Sequence, residues 1–331
     1  MTHLAQAKQL VAESGRQLLC EGLVARTWGN VSCRTGENSF VITPSGLGYD
    51  SMHAEDVVPF DMLSGKWTGP RKPSSEKRVH AAVYRQFPDA GFVIHTHQTY
   101  ASALGLAGFD NLRCTPGEER ALGGVALAKY GLPGSKTLRN NVARALAGGT
   151  RCVLMAHHGA LIAGTSAQEA FARAKLLEAV CKNACCGQPL QTCGDPALAR
   201  QLADALKGNF AAVGVSTAAA AAAVAAQIDF IRPQLDDMAQ MIGPKLIRVQ
   251  ADTEGVRSAL EKFDAVLVKG VGTICRAQTA NDCDALCMLV EKACISFLHT
   301  RALDAPAALS ALDCLLMRMV YKMKYAKRIG G

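Results

Sequence analysis

Three histidines and one glutamate are the residues of this chain with the types and spacing for chemistry. His95 and His97 are one residue apart at the end of the apolar run Gly91-Phe92-Val93-Ile94. In an extended strand, positions i and i+2 point to one face, so both imidazoles converge without rearrangement of a loop. His158 precedes Gly159 at the end of a second apolar run, Cys152-Val153-Leu154-Met155, and Glu76 opens a helix after Pro73-Ser74-Ser75. Three nitrogen donors and a carboxylate suit zinc or another divalent transition metal such as manganese or cobalt.

Three polar turns accompany these residues: Gly29-Asn30-Val31-Ser32, Thr43-Pro44-Ser45-Gly46 and Pro73-Ser74-Ser75-Glu76. Each carries glycine or serine beside a strand or helix start. Backbone N–H groups, hydroxyls and a helix N-terminus are what a phosphate monoester needs. The combination reads as a divalent-metal site next to a phosphate-sized pocket.

Taken in order, Trp28-Gly29-Asn30-Val31-Ser32, Ile42-Thr43-Pro44-Ser45-Gly46, Ser74-Ser75-Glu76 with His80 and Tyr84, Pro88-Asp89, Ile94-His95-Thr96-His97 and His157-His158-Gly159 resemble the class II aldolase/adducin superfamily. The resemblance is strongest to its fuculose-phosphate aldolase branch and covers about residues 5–190. It implies that His95, His97 and His158 are metal ligands and that Glu76 is both a labile ligand and the catalytic acid/base. It implies that Asn30, Ser45, Gly46, Ser74 and Ser75 hold a substrate phosphate. The expected fold is a three-layer α/β/α domain with a mainly antiparallel central sheet, assembled as a homo-oligomer. The expected reaction is cleavage of a ketose 1-phosphate to dihydroxyacetone phosphate and an aldehyde.

That chemistry agrees with the residues. A divalent ion chelated by a carbonyl and its adjacent hydroxyl is a Lewis acid that stabilises the enediolate left when a C3–C4 bond breaks. A carboxylate displaced from the ion then shuttles protons. Glu76 directly follows Ser75, so holding the phosphate fixes the distance from base to reacting carbon. Two departures from the aldolase pattern concern the aldehyde end of the pocket. The loop Leu112–Arg120 carries no aromatic residue, and Pro133 occupies a second aromatic position in Tyr130-Gly131-Leu132-Pro133-Gly134. Glu118, Glu119 and Arg120 read better as a solvated charged loop than as replacements. Sugar-phosphate epimerases and a dehydratase share the scaffold and stay open as alternatives. A non-catalytic adducin-like module lacks the ligands, whereas this chain keeps the full set.

The chain has 331 residues, 49% of them hydrophobic and 19% charged, which fits a globular protein of two domains. A net charge of +8 suits an anionic substrate. No aromatic-interleaved basic module points to nucleic acid. Thirteen cysteines without a secretory signal favour reduced thiols and a cytoplasmic location. Cys181, Cys185, Cys186 and Cys193 lack the paired spacing of a metal site. The run Ala211–Ile231 is mostly alanine, which favours a buried helix or linker over a membrane span.

Placing Val153 on Val266, a shift of 266 − 153 = 113, also pairs Leu154 with Leu267, Gly159 with Gly272, Leu176 with Leu289 and Glu178 with Glu291. This pattern predicts a partial repeat. The second copy is ligand-free, since Val271 stands at the position of His158. The expected organisation is therefore an aldolase-like domain over 1–194, an Ala-rich helix or linker over 195–229, and a degenerate repeat over 230–331. Asp236, Asp237 and Lys269 are the residues that the repeat could lend to a site. Periodicity places helices at His3–Glu21, Ser75–Gln86, Lys136–Ala147, Ser166–Cys186, Asp252–Phe263, Thr279–Leu303 and Ala308–Tyr325. Strands are expected at Asn30–Cys33, Phe40–Thr43, Cys152–Ile162, Lys245–Gln250 and Ala265–Cys275.

Overall fold

The computed structural model describes residues 2–26, 28–107, 112–188, 193–305 and 307–326. The chain divides into two units, Met1–Ala184 and Cys185–Gly331. In the first, α1 (His3–Cys20) leads to β1 (Asn30–Gly36), β2 (Ser39–Ile42) and β3 (Val58–Asp61). Then come α2 (Lys77–Gln86), β4 (Phe92–Thr96), α3 (Thr99–Leu104) and α4 (Pro116–Leu122). The unit closes with β5 (Val125–Ala128), α5 (Lys136–Leu146), β6 (Cys152–Met155), β7 (Gly159–Gly164) and α6 (Ala167–Ala184).

The seven strands form one sheet in the order β3-β2-β1-β4-β7-β6-β5. Phe40, Val93, Val153 and Leu161 on one face pack against Val79, Val83 and Tyr84 of α2 and Leu138 and Val142 of α5. Ile94, Leu154 and Ile162 on the opposite face are also fully buried, and α1, α3 and α6 pack on the strands there. Covering both faces explains why β4, β6 and β7 read as continuous apolar runs. Each such side chain contributes about 1.5–3 kcal/mol by leaving water.

The expectation of a mainly antiparallel sheet is corrected to a mixed one. β5 and β6 are parallel, because α5 carries the chain back across the sheet before β6 begins. The single strand expected over Cys152–Ile162 is two antiparallel strands, β6 and β7, with Cys152 facing Ile162 and Met155 facing Gly159. The reversal lies at Ala156–His158, where His157 has a left-handed φ of 64°. The loop Leu112–Arg120 becomes the start of α4, with Thr115 and Glu118 forming a reciprocal capping box. Glu118 is thereby committed to helix capping.

The second unit contains α7 (Pro196–Ala205), β8 (Ala212–Ser216), α8 (Ala219–Gln227), β9 (Phe230–Ile231) and α9 (Asp236–Met241). It continues with β10 (Leu246–Val249), α10 (Thr253–Leu260), β11 (Ala265–Val268), β12 (Gly272–Ala277), α11 (Ala280–Ala302) and α12 (Ala311–Ala326). Its sheet runs β8-β12-β11-β10-β9 and is also mixed, with β10 and β11 parallel. The Ala-rich run is therefore strand, helix and short strand, and β8 within the expected linker pairs along β12. Helix α7 starts at Asp195-Pro196, with the Asp195 carboxylate accepting from the amides of Ala197 and Leu198. Among the described residues, no helix is long and apolar enough to cross a membrane.

Part of each sheet has the same register. β4 and β7 pair Phe92 with Gly164 and Thr96 with Ala160; β8 and β12 pair Ala212 with Ala277 and Ser216 with Thr273. β11 and β12 pair Ala265 with Cys275 and Val268 with Gly272, which repeats the β6–β7 hairpin under the same shift. Glu178 of α6 accepts from the amides of Tyr100 and Ala101 at 2.9 and 3.0 Å. Glu291 of α11 accepts from Ala220 and Ala221 at 3.0 and 2.9 Å.

Candidate metal centre

β4 supplies the first histidine. In β4, Val93 and His95 share the face covered by α2, and Asn30 of β1 is the direct cross-strand partner of His95. His97 lies just past the end of β4, where its backbone N–H donates to the Leu23 carbonyl at 3.1 Å. The β6–β7 turn delivers His158. Gly159 beside it admits no side chain without a backbone shift, because a Cβ there would lie 2.1 Å from the Thr96 carbonyl oxygen of β4. Gly29, at φ 79°, is likewise pressed against the His95 carbonyl.

Glu76 is the N-cap of α2, one residue before the helix predicted to contain it, and its side chain makes no capping bond. Both carboxylate oxygens are engaged elsewhere. Oε1 is 2.8 Å from His158 Nε2, and Oε2 is 3.2 Å from His95 Nε2 and accepts from Asn30 Nδ2 at 2.9 Å. His97 Nε2 lies 3.1 Å from His95 Nε2. All four side chains are buried, none more than 8% exposed.

These separations fit a tetrahedral divalent ion. Zinc–nitrogen bonds of about 2.0–2.1 Å put neighbouring ligand atoms roughly 3.3 Å apart, close to the observed edges. His95 Nδ1 lies 2.9 Å from the Ala160 carbonyl, to which it donates; the tautomer this fixes leaves Nε2 with its lone pair facing the cluster. Burial pulls the His95 imidazole well below its ordinary range, against the opposing Glu76 charge. Burial works to raise Glu76, but His95, His158 and the bonds from His158 and Asn30 outweigh it and hold the carboxyl well below the usual carboxylate range. His95, His97 and His158 place one ring nitrogen each within 4.8 Å of one another.

The residues expected around a phosphate come from two loops joined backbone to backbone. Ser45 N–H donates to the Lys72 carbonyl at 2.8 Å and Ser74 N–H to the Thr43 carbonyl at 3.0 Å, with a bridge between Pro44 and Pro73. Gly46 follows at φ 75°. Ser75 is exposed. Ser74 is buried, and its hydroxyl accepts from the Glu76 amide at 3.2 Å. Asn30 is buried with both ends of its amide engaged, one by Glu76 and one by His80. The structure thus ties Asn30 and Ser74 to Glu76 itself.

Charged residues not singled out in the sequence lie next to these loops. Arg78, Lys136 and Arg139 line a cavity with Ser75 and Ser135, where Ser135 caps α5. Their signal was present: a serine before a basic helix start. In the second unit, Asp237 accepts from buried Lys292 at 2.7 Å, Asp236 is buried in α9, and Lys269 is exposed after β11.

Known proteins agree with this architecture. Solved structures similar to this chain include YgbL from Escherichia coli, for which aldolase, epimerase and decarboxylase activities have been suggested. It is 27% identical over 55% of this chain and 89% of its own, with a TM-score of 0.51. YgbL from Klebsiella pneumoniae is 29% identical over the same shares, with a TM-score of 0.50. An L-fuculose 1-phosphate aldolase is 31% identical over 54% of this chain and 84% of its own, with a TM-score of 0.48. The model of the class II aldolase and adducin N-terminal domain matches residues 9–185, more than half the chain, and the protein belongs to that family.

Proposed function

We propose that the protein is a divalent-metal-dependent lyase that cleaves a ketose 1-phosphate of the fuculose-phosphate type to dihydroxyacetone phosphate and an aldehyde. One observation carries this reading: the convergence of His95, His97, His158 and Glu76 on one buried point beside the joined Ser45 and Ser74 loops. An ion held by those four side chains, zinc in this reading, supplies Lewis acidity towards the substrate carbonyl and hydroxyl. Ser75, Gly46 and Ser45 hold the phosphate with Asn30 and Ser74, and Arg78, Lys136 and Arg139 add positive charge nearby. Glu76 moves the proton at C3 after C3–C4 cleavage, as a carboxylate whose two oxygens are pre-aimed.

The same proposal includes a homo-oligomer, a cytoplasmic location, and the second unit as a degenerate copy of the first. The matched registers and the Glu178 and Glu291 contacts support the last part. Val215, Thr217 and Val271 stand at the positions of His95, His97 and His158, so that copy holds no ion. Epimerisation, dehydration or decarboxylation of a sugar phosphate is the second reading, favoured by the activities suggested for YgbL and by Pro133 in place of an aromatic.

Release of dihydroxyacetone phosphate from fuculose 1-phosphate and related ketose 1-phosphates tests the proposal, with zinc-loaded protein against a chelated control. Metal-dependent release is expected. Zinc-loaded protein that leaves all of them intact but epimerises or decarboxylates a sugar phosphate would replace the first reading by the second.

A further inference from the structure

A chain of buried side chains runs from the core of the first unit to Glu76. The Tyr84 hydroxyl is 2.8 Å from Ser32 Oγ, and Ser32 Oγ is 2.7 Å from His80 Nδ1. His80 Nε2 bonds Asn30 Oδ1, and Asn30 Nδ2 donates to Glu76 Oε2 at 2.9 Å. His80 and Ser32 are completely buried and Tyr84 is 2% exposed. The chain follows from matched periods. The N-cap Glu76 and then His80 and Tyr84 of α2 follow one another at four-residue intervals, a rise of about 6 Å in a helix, and Asn30 and Ser32 repeat every two along β1, about 6.8 Å.

Every donor in this chain is determined. Asn30 Nδ2 donates to Glu76 Oε2, which leaves the Asn30 carbonyl oxygen, able only to accept, facing His80. His80 must then carry its proton on Nε2. Burial depresses its pKa to about 4, against the opposing Glu76 charge, so the ring is neutral and Nδ1 accepts from the Ser32 hydroxyl. Ser32 in turn accepts from Tyr84, whose buried phenol stays protonated. A side-chain amide does not relay protons, so the chain orients Glu76 and keeps its proton traffic on the substrate side.

We propose that His80 is a positioning residue, whose Nε2–H locks Asn30 in the one amide orientation that donates to Glu76. His158 sets one carboxylate oxygen, and His80, acting through Asn30, sets the other. This rests on the reading of Glu76 as ligand and proton carrier, so the tests separate the two.

Histidine 15N NMR of the full-length, metal-free protein, with His80 assigned by its loss in His80→Gln, requires neither metal nor turnover. The Nε2–H tautomer is expected. An Nδ1–H tautomer would overturn the proposal. Zinc affinity, read by competition with a chromophoric chelator, and thermal stability then divide the variants. His80→Gln keeps a donor at the Nε2 position and is expected within about 3-fold of wild type. His80→Asn keeps the acceptor towards Ser32 but not the reach to Asn30, and is expected to lose about 10–100-fold, the usual cost of removing a ligand's hydrogen-bonding support. Tyr84→Phe, two links out, is expected within about 3-fold. Equal zinc affinity in His80→Asn and wild type, or equal loss in His80→Gln and His80→Asn at matched melting temperatures, would overturn the proposal. Wild-type protein that binds no zinc would instead remove the metal reading and leave the tautomer result standing.

Discussion

The β4-β7-β6-β5 ladder of the first unit and the β8-β12-β11-β10 ladder of the second share their registers but differ in their chemistry. At the positions of His95, His97 and His158 the second ladder has Val215, Thr217 and Val271. The turn carrying His157 at φ 64° is matched by Gly270 at φ 80°. Among the described residues of the second unit no strands correspond to β1–β3, so the position of Asn30 has no counterpart. A ladder of this pairing therefore forms without histidines at these positions.

The largest effect is expected at Glu76. Glu76→Gln is expected to lower turnover by about 10²-fold or more while the far-ultraviolet dichroism stays unchanged. Retention of a tenth of the activity would remove Glu76 from the proton-transfer role. Next, His95→Val with His158→Val gives the first ladder the residues of the second at two of the three histidine positions. Zinc affinity is expected to fall more than about 100-fold, with cooperative unfolding preserved; a variant that fails to fold would show that the histidines also hold the scaffold.

A third test uses pH. His80 has its pKa depressed to about 4 by burial, below the ordinary 6.5 of an unfolded histidine. Between these values the unfolded chain binds more protons, so stability is fully present above pH 6.5 and is lost as pH falls towards 4. The His80 contribution is about 3 kcal/mol. Urea unfolding of the metal-free protein is expected to show a shallower pH dependence in His80→Gln than in wild type, and equal slopes would contradict the assignment. The smallest expected effect compares Gly159→Ala with Gly272→Ala. An added Cβ would lie 2.1 Å from the Thr96 carbonyl oxygen in one and 2.6 Å from that of Ser216 in the other. Each is expected to cost about 1–3 kcal/mol; a neutral Gly272→Ala would show that the second hairpin is packed differently from the first.

The site was legible in the sequence where short-range geometry determines it. His95 and His97 follow from strand alternation, and Ser75-Glu76 from a helix start. Glu76, His80 and Tyr84 were visible as a motif, but their common role emerges only when β1 brings Asn30 and Ser32 alongside α2. Cys152–Ile162 read as one strand because both of its strands are buried on both faces and no polar residue marks a break before His157. Asp195-Pro196 and Thr115-Pro116 with Glu118 were helix-start signals outweighed by the surrounding composition. The parallel pairings of β5 with β6 and β10 with β11 depend on which way α5 and α10 return the chain, which no local pattern encodes.

We propose one metal-dependent site per chain, built only in the first ladder. Zinc titration of the metal-free protein, followed by deuterium exchange from solvent into C3 of dihydroxyacetone phosphate, tests it most directly. Exchange is expected to rise with zinc, to level off at one equivalent per chain, and to vanish in Glu76→Gln. No exchange at full zinc occupancy, or a plateau at two equivalents, would contradict the account.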